Sequence, residues 1–136
     1  MCIHHIINNW VLFGLYTFSA LLVVASTFIT SISDPTDKIV YNYKWSKYKN
    51  EAFVEGISTY YFCEYCDSYC QQKSKHCRVC NRCVDNFDHH CIWINNCIGE
   101  RNYKEFIVMI STTFIHIGIF LLGGGIMSHY VIITNV

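Results

Sequence analysis

The sequence predicts an α-helical integral membrane protein in which two transmembrane helices flank a small, irregular cysteine-rich loop domain with short β-hairpins. Three observations predict it. Hydrophobic residues make up 52% of the 136 residues and charged residues only 15%, too oily for an ordinary soluble domain of this size. The charges are segregated: all ten Lys/Arg and all ten Asp/Glu lie between Asp34 and Glu105, leaving the apolar runs Trp10–Ile32 and Phe106–Ile133 without formal charge. Most of the nine cysteines crowd into a stretch with no periodicity long enough to build a core.

The first element, 10–32, exceeds the roughly 20 residues needed to cross a bilayer. No Lys or Arg precedes it, and it is longer than the apolar region of about 7–15 residues in a secretory signal, so a retained span is expected. Asp34-Pro35 contains the only proline. It ends the helical pattern and starts an extended path through a juxtamembrane segment, 33–62. Within it, YNYKWSKYKN (41–50) mixes Lys44, Lys47 and Lys49 with Tyr41, Tyr43, Trp45 and Tyr48. That composition fits a solvated loop, a headgroup-level surface segment or a nucleic-acid contact. The cysteine-rich segment, 63–105, is too small to fold on apolar burial alone and calls for a metal staple. The second span, 106–133, contains Gly123-Gly124-Gly125, which either admits a neighbouring helix or softens this one. It also holds His116 and His129, expected as neutral, hydrogen-bonded side chains.

The positive charges set the orientation. All of them lie between the spans, so that segment is expected on the cytosolic side of an endomembrane (endoplasmic reticulum or Golgi) or plasma membrane. Cysteines in a reducing compartment bind metal or do chemistry rather than form a disulfide framework. Zero net charge and spans on both sides argue against a nucleic-acid partner.

The ligand pattern is Cys63-x2-Cys66-x9-His76-Cys77-x2-Cys80-x2-Cys83-x4-Asp88-His89-His90-Cys91-x5-Cys97. A Cys-x2-Cys pair places two thiolates on one tight turn, half of a tetrahedral zinc site. Two closed sites need eight ligands. Cys63, Cys66, Cys77, Cys80, Cys83 and Cys97 with two histidines supply them, although counting alone leaves either Cys91 or Cys97 as the spare. If residues 88–91 run extended, side chains alternate between faces. His89 and Cys91 then share one face and His90 points to the other, so His90 serves structure while His89 and Cys91 serve chemistry. A cysteine beside a histidine is the arrangement of an activated thiol nucleophile. Cys2 and Cys70 have no role in this scheme. Cys70 is either a spare buried thiol or an acylation target, and Cys2 is expected on the luminal side.

The run from Cys63 to Phe106, with Trp93, Asn95, Asn96, Gly99 and Asn102 in CIWINNCIGERNYKEF, resembles the cysteine-rich domain of the DHHC protein S-acyltransferases, the palmitoyltransferases. Asp34-Pro35 is similar to that family's Asp-Pro-Gly element, with Thr36 in place of glycine. The resemblance implies two interleaved structural zinc sites, Cys63/Cys66/His76/Cys83 and Cys77/Cys80/His90/Cys97. It implies Cys91 as nucleophile, His89 as general base, Asp88 as the group that orients His89, and Trp93 and Phe106 at the mouth of an acyl-chain cavity. The implied reaction moves a long fatty acyl group, palmitoyl, from acyl-CoA to Cys91 and then to cysteines of substrate proteins. An alternative is a catalytically silent, membrane-anchored zinc module, or a truncated family member, acting through protein contacts. The pattern is departed from at Cys70-Gln71 and Lys73, where the family has a basic-proline element ending in arginine, and at Ile92, where it has proline. The family usually has four membrane helices and two are read here. A second copy, or helices of another chain, would then complete the cavity.

Overall fold

A computed structural model describes residues 2–53 and 59–134, without the side chains of 2–9, 126–132 and 134. Cys2 and His129 therefore lie outside the described side chains. The chain divides into two compact units, Met1–Phe28 with Ile107–Val136, and Ile29–Phe106.

The first unit is built on two long helices, α1 (Cys2–Ile32) and α3 (Tyr103–Thr134). The stretches Trp10–Ile32 and Glu100–Gly125 are long and apolar enough to cross a membrane, and only 11% and 6% of their most apolar windows are buried. A core helix of a soluble protein would be mostly buried. Apolar faces left this open fit hydrocarbon, and the chain is a membrane protein. The helices meet through polar side chains. Ser19 Oγ and His116 Nδ1 are 2.9 Å apart, as are Ser26 Oγ and Thr112 Oγ1. Tyr16 lies against His116 with ring centroids 4.8 Å apart. His116 is thus hydrogen-bonded within the helix pair. Gly123–Gly125 do not interrupt α3, and Gly123 and Gly124 line an apolar cleft of about 510 Å³ with Leu12, Phe13, Tyr16, Ile119 and Phe120.

The second unit holds α2 (Lys38–Lys49) and three antiparallel hairpins: β1 (Tyr60–Cys63) with β2 (Ser68–Gln71), β3 (Lys75–Cys77) with β4 (Arg82–Val84), and β5 (His89–Cys91) with β6 (Asn96–Ile98). The segment 41–50, whose composition left a solvated loop, a headgroup-level surface segment and a nucleic-acid contact open, forms most of α2 and its C-terminal cap. That segment is helical because Asp37 caps it, its carboxylate accepting from the Ile39 amide at 2.8 Å, and because Ile39 and Val40 are buried. Asn50 closes the helix in a left-handed conformation, which asparagine tolerates. Asp37 is fully buried and also accepts from the Gln71 amide and the Ser74 hydroxyl, each at 2.7 Å. One carboxylate therefore ties the helix start to β2 and the turn after it.

The path from α1 to α2 docks on β4 rather than trailing free. The Asp37 amide donates to the Cys83 carbonyl, the Asp85 amide to the Pro35 carbonyl, and Thr36 bridges Val84. Asp34 accepts from the Thr36 amide and hydroxyl, Tyr41 and Arg82. Partial burial pushes its carboxyl up, but these donors prevail and hold it below the usual carboxylate range. The end of α1 is caught by Asn96, whose amide nitrogen donates to the carbonyls of Ser33 at 2.7 Å and of Thr30 and Ser31 at 3.1 Å. Arg82 donates to its oxygen at 2.8 Å.

Asn96 is nearly inaccessible, so truncating it removes its hydrogen bonds to the carbonyls of Thr30, Ser31 and Ser33. Asn96→Ala is expected to cost about 1–3 kcal/mol, read as a lower unfolding midpoint of zinc-loaded protein with its metal content unchanged. An unaltered midpoint would show that these carbonyls have other donors.

Candidate zinc centres and active site

The three hairpins repeat one plan. Cys63, Cys77 and Cys91 end the first strands, fourteen residues apart, and stand opposite Ser68, Arg82 and Asn96. Each turn closes with one left-handed residue, Asp67, Asn81 and Asn95, residue types that adopt this conformation at least cost. The second turn residue is exposed every time, as Tyr65, Val79 and Trp93, and the third residue of the return strand is fully buried every time, as Cys70, Val84 and Ile98. Beyond the cysteine spacing this repeat is not evident in the sequence, because most of its positions differ in residue type. It also settles Cys70. That thiol fills the core position taken by valine and isoleucine in the next two hairpins, behaves as a small hydrophobe, and is closed to acylation.

Zinc-ligand geometry follows from the repeat. The turn after β1 offers Cys63 and Cys66, and the next hairpin offers His76 and Cys83, directly opposed across β3 and β4. The turn after β3 offers Cys77 and Cys80, and the third hairpin offers His90 and Cys97, directly opposed across β5 and β6. His76 and Cys77 are strand neighbours on opposite faces, which interleaves the two groups. In each group the four ligand atoms lie within 4.8 Å of one another. His76 Nδ1 is 3.2 Å from Cys66 Sγ, and His90 Nδ1 is 3.3 Å from Cys80 Sγ.

The donor sets fit zinc. Three thiolates and one imidazole make a closed tetrahedral site. Without a cation three of these thiols resist ionisation, whereas at Cys77 burial pushes the thiol up but hydrogen bonds with Cys80, Cys97 and Val79 prevail and lower it. Burial pushes Cys66 up to about 12, burial raises Cys97, and contact with Cys70 together with burial raises Cys83. A divalent cation inverts that preference and makes metal binding part of folding. Each group could therefore hold one zinc ion.

The third hairpin breaks the pattern at one place. Cys91 occupies the knuckle position of Cys63 and Cys77, but its partner position, that of Cys66 and Cys80, is Ile94. Among the described residues no metal-binding group includes Cys91. His89 and Cys91 share one face of β5 and His90 takes the other, as alternation requires. Asp88 precedes β5, so it is not bound by that alternation, and its carboxylate lies 3.5 Å from His89 Nδ1. The His89 ring meets Phe106 edge to face at 5.3 Å. Asp88 also lines a cleft of about 480 Å³ with Asn86, Phe87, Gly99, Tyr103 and Lys104. Trp93 stands on the hairpin tip, 89% exposed, and no ring contact brings it to Phe106.

Sequence reasoning missed Asp37, Asn96 as the residue that catches α1, and Asn102. Asn102 donates to the Cys97 carbonyl at 2.9 Å and accepts from the Gly99 amide at 3.0 Å, fastening β6 to the start of α3. Aspartate just ahead of Lys-Ile-Val was a legible capping signal. The other two depend on pairings between distant segments.

Paired Cys₃His groups on three hairpins, lying in sequence between two helices fit to cross a membrane, define a membrane-anchored zinc-binding cysteine-rich protein. Residues 56–135 match the family model described as DHHC palmitoyltransferase, more than half of the chain, and the chain belongs to that family. It is 42% identical over 65 residues to palmitoyltransferase erf2 of Emericella nidulans, covering 48% of this chain and 11% of that protein. It is 42% identical over 78 residues to palmitoyltransferase ZDHHC8B of Danio rerio, covering 56% and 10%. It is 52% identical over 48 residues to probable protein S-acyltransferase 15 of Arabidopsis thaliana, covering 35% and 19%. The chain thus spans between a tenth and a fifth of the length of these relatives.

Elemental analysis of purified protein is expected to find two zinc ions per chain. His90→Ala should lose metal and loosen the domain, while His89→Ala, one position away, should keep both ions. The opposite result would exchange the roles of the two histidines.

Proposed function

We propose that the chain is a protein S-acyltransferase that carries a long-chain acyl group, palmitoyl, as a thioester on Cys91. The observation that carries this reading is the divergence of neighbours on β5: His90 turns into a zinc group while His89, on the face of Cys91, is held by Asp88. Names of the relatives, palmitoyltransferase and protein S-acyltransferase, agree with it.

In the first step His89 takes the Cys91 thiol proton at Nε2, with Nδ1–H directed at Asp88. The Cys91 sulfur attacks the thioester carbonyl carbon of acyl-CoA, the carbon–sulfur bond to CoA breaks, and CoA leaves as the thiol with the proton from His89. In the second step the thiol of a substrate-protein cysteine loses its proton to His89 and attacks the Cys91 thioester, and Cys91 regains a proton as it leaves. Both steps exchange one thioester for another and give ping-pong behaviour. The Asp88–His89 pair is half-exposed, so its worth lies in orientation rather than stability. The zinc ions would be structural, with Cys63, Cys66, His76 and Cys83 holding one and Cys77, Cys80, His90 and Cys97 the other.

Trp93 and Phe106 would meet the acyl chain where it enters the bilayer. Membrane residence suits the substrate, since each CH₂ kept out of water is worth about 0.8 kcal/mol. The charge asymmetry supports a cytosolic site on endomembranes or the plasma membrane. The largely uncovered apolar faces of α1 and α3 support a cavity completed by a second copy or by helices from another chain.

Incubation with a clickable fatty acyl-CoA is expected to label the protein through a hydroxylamine-sensitive bond. Cys91→Ser should remove the label with both zinc ions in place, and His89→Ala should slow labelling by roughly 10²–10⁴-fold. Folded, zinc-loaded protein that takes no label would leave a silent zinc module instead.

A further inference from the structure

Helix α2 divides into two faces. Ile39 and Val40 are buried, Tyr43 packs edge-on against Phe53, Phe62 and Tyr69, and Lys47 on the same side is engaged by Asp67 at 2.6 Å. The opposite face carries Lys38, Tyr41, Lys44, Trp45, Tyr48 and Lys49. The helix contains no acidic residue. Trp45 is 60% and Tyr48 80% exposed. Their rings stack at 5.9 Å, and Lys49 Nζ sits 5.2 Å from the Trp45 centroid. Large aromatic area in water is unfavourable, so an ordered aromatic ledge rimmed by lysines calls for a partner that is apolar at depth and anionic at its surface.

Covalent geometry restricts that partner. Only Ser33–Asp37 separate Lys38 from Ile32, the last residue of a span. Six peptide steps reach at most about 21 Å, so α2 begins within that distance of the bilayer boundary. Tyrosine and tryptophan prefer the headgroup level, and lysines there gain about 1 kcal/mol each from anionic lipid. A soluble acidic protein would match the charge but not the aromatic ledge.

We propose that the outer face of α2 is a binding surface for anionic phospholipid headgroups, fastening the metal-binding unit to the bilayer it is tethered to. The proposal stands on membrane anchorage and not on acyl transfer, so an inactive chain does not bear on it.

The test uses the full, zinc-loaded chain with a benzophenone amino acid in place of Trp45, reconstituted in phosphatidylcholine vesicles with or without phosphatidylserine. Photolysis is expected to give lipid adducts whose yield rises with phosphatidylserine and falls in high salt. The triple variant Lys38→Gln, Lys44→Gln, Lys49→Gln should cut the phosphatidylserine-dependent yield at least tenfold, given about fivefold per lysine, while keeping two zinc ions. High salt on the unsubstituted lysines gives the same readout without relying on the variant's folding. Adducts confined to protein, or lipid adducts indifferent to phosphatidylserine and salt, would overturn the proposal.

Discussion

The second unit depends on one constraint: its interior is made of sulfur. Among the described residues seven of the twelve buried hydrophobic ones are cysteines, and the rest are scattered isoleucines and valines. Strands of three or four residues cannot hold together by pairing alone. Five of those buried thiols, the half-buried Cys80 and two histidines converge on two points, and Cys66, Cys97 and Cys83 among them resist ionisation without a counter-charge. A doubly charged ion at each point removes that penalty and fixes four chain positions at once. The hairpins, the docked Asp34–Asp37 path and the Asn96 clasp on α1 all hang from those two points.

The same constraint generates the site. Each centre takes a knuckle from one hairpin and an opposed His–Cys pair from the next, so a run of hairpins must end with one knuckle unused. Here the unused knuckle is Cys91, with Ile94 where a second thiol would stand. The candidate nucleophile is a zinc-ligand position without a zinc. It inherits the tight turn and buried setting of a ligand, and the preceding histidine of the same face, His89, is free to face Asp88 rather than metal. The metal groups and the proposed reactive position thus share one local plan and differ by the occupant of one position.

Much of this was legible in the sequence. Segregated charge disclosed both spans, and Cys-x2-Cys spacing with strand alternation separated His90 from His89 before any coordinates. What was not legible has physical causes. Helix α2 was not read as a helix because its tyrosines, tryptophan, valine and asparagine have only modest helical preference. Its order comes from the Asp37 cap and from burial of Ile39 and Val40 against β2. Cys70 could not be assigned because its equivalence to Val84 and Ile98 exists only in the hairpin register. Asn96 and Asn102 read as family residues, but their work is to pair carbonyls of segments distant in sequence.

The central claim is that each centre is closed by three sulfurs and one nitrogen and that Cys91 belongs to neither. Zinc-edge X-ray absorption on the metal-loaded chain tests it most directly. The account predicts a mean first shell of three sulfurs at about 2.3 Å and one nitrogen at about 2.0–2.1 Å per zinc. A mean shell of four sulfurs, or of two sulfurs and two nitrogens, would contradict it, because either requires Cys91 or His89 to be spent on metal or a named ligand to be idle.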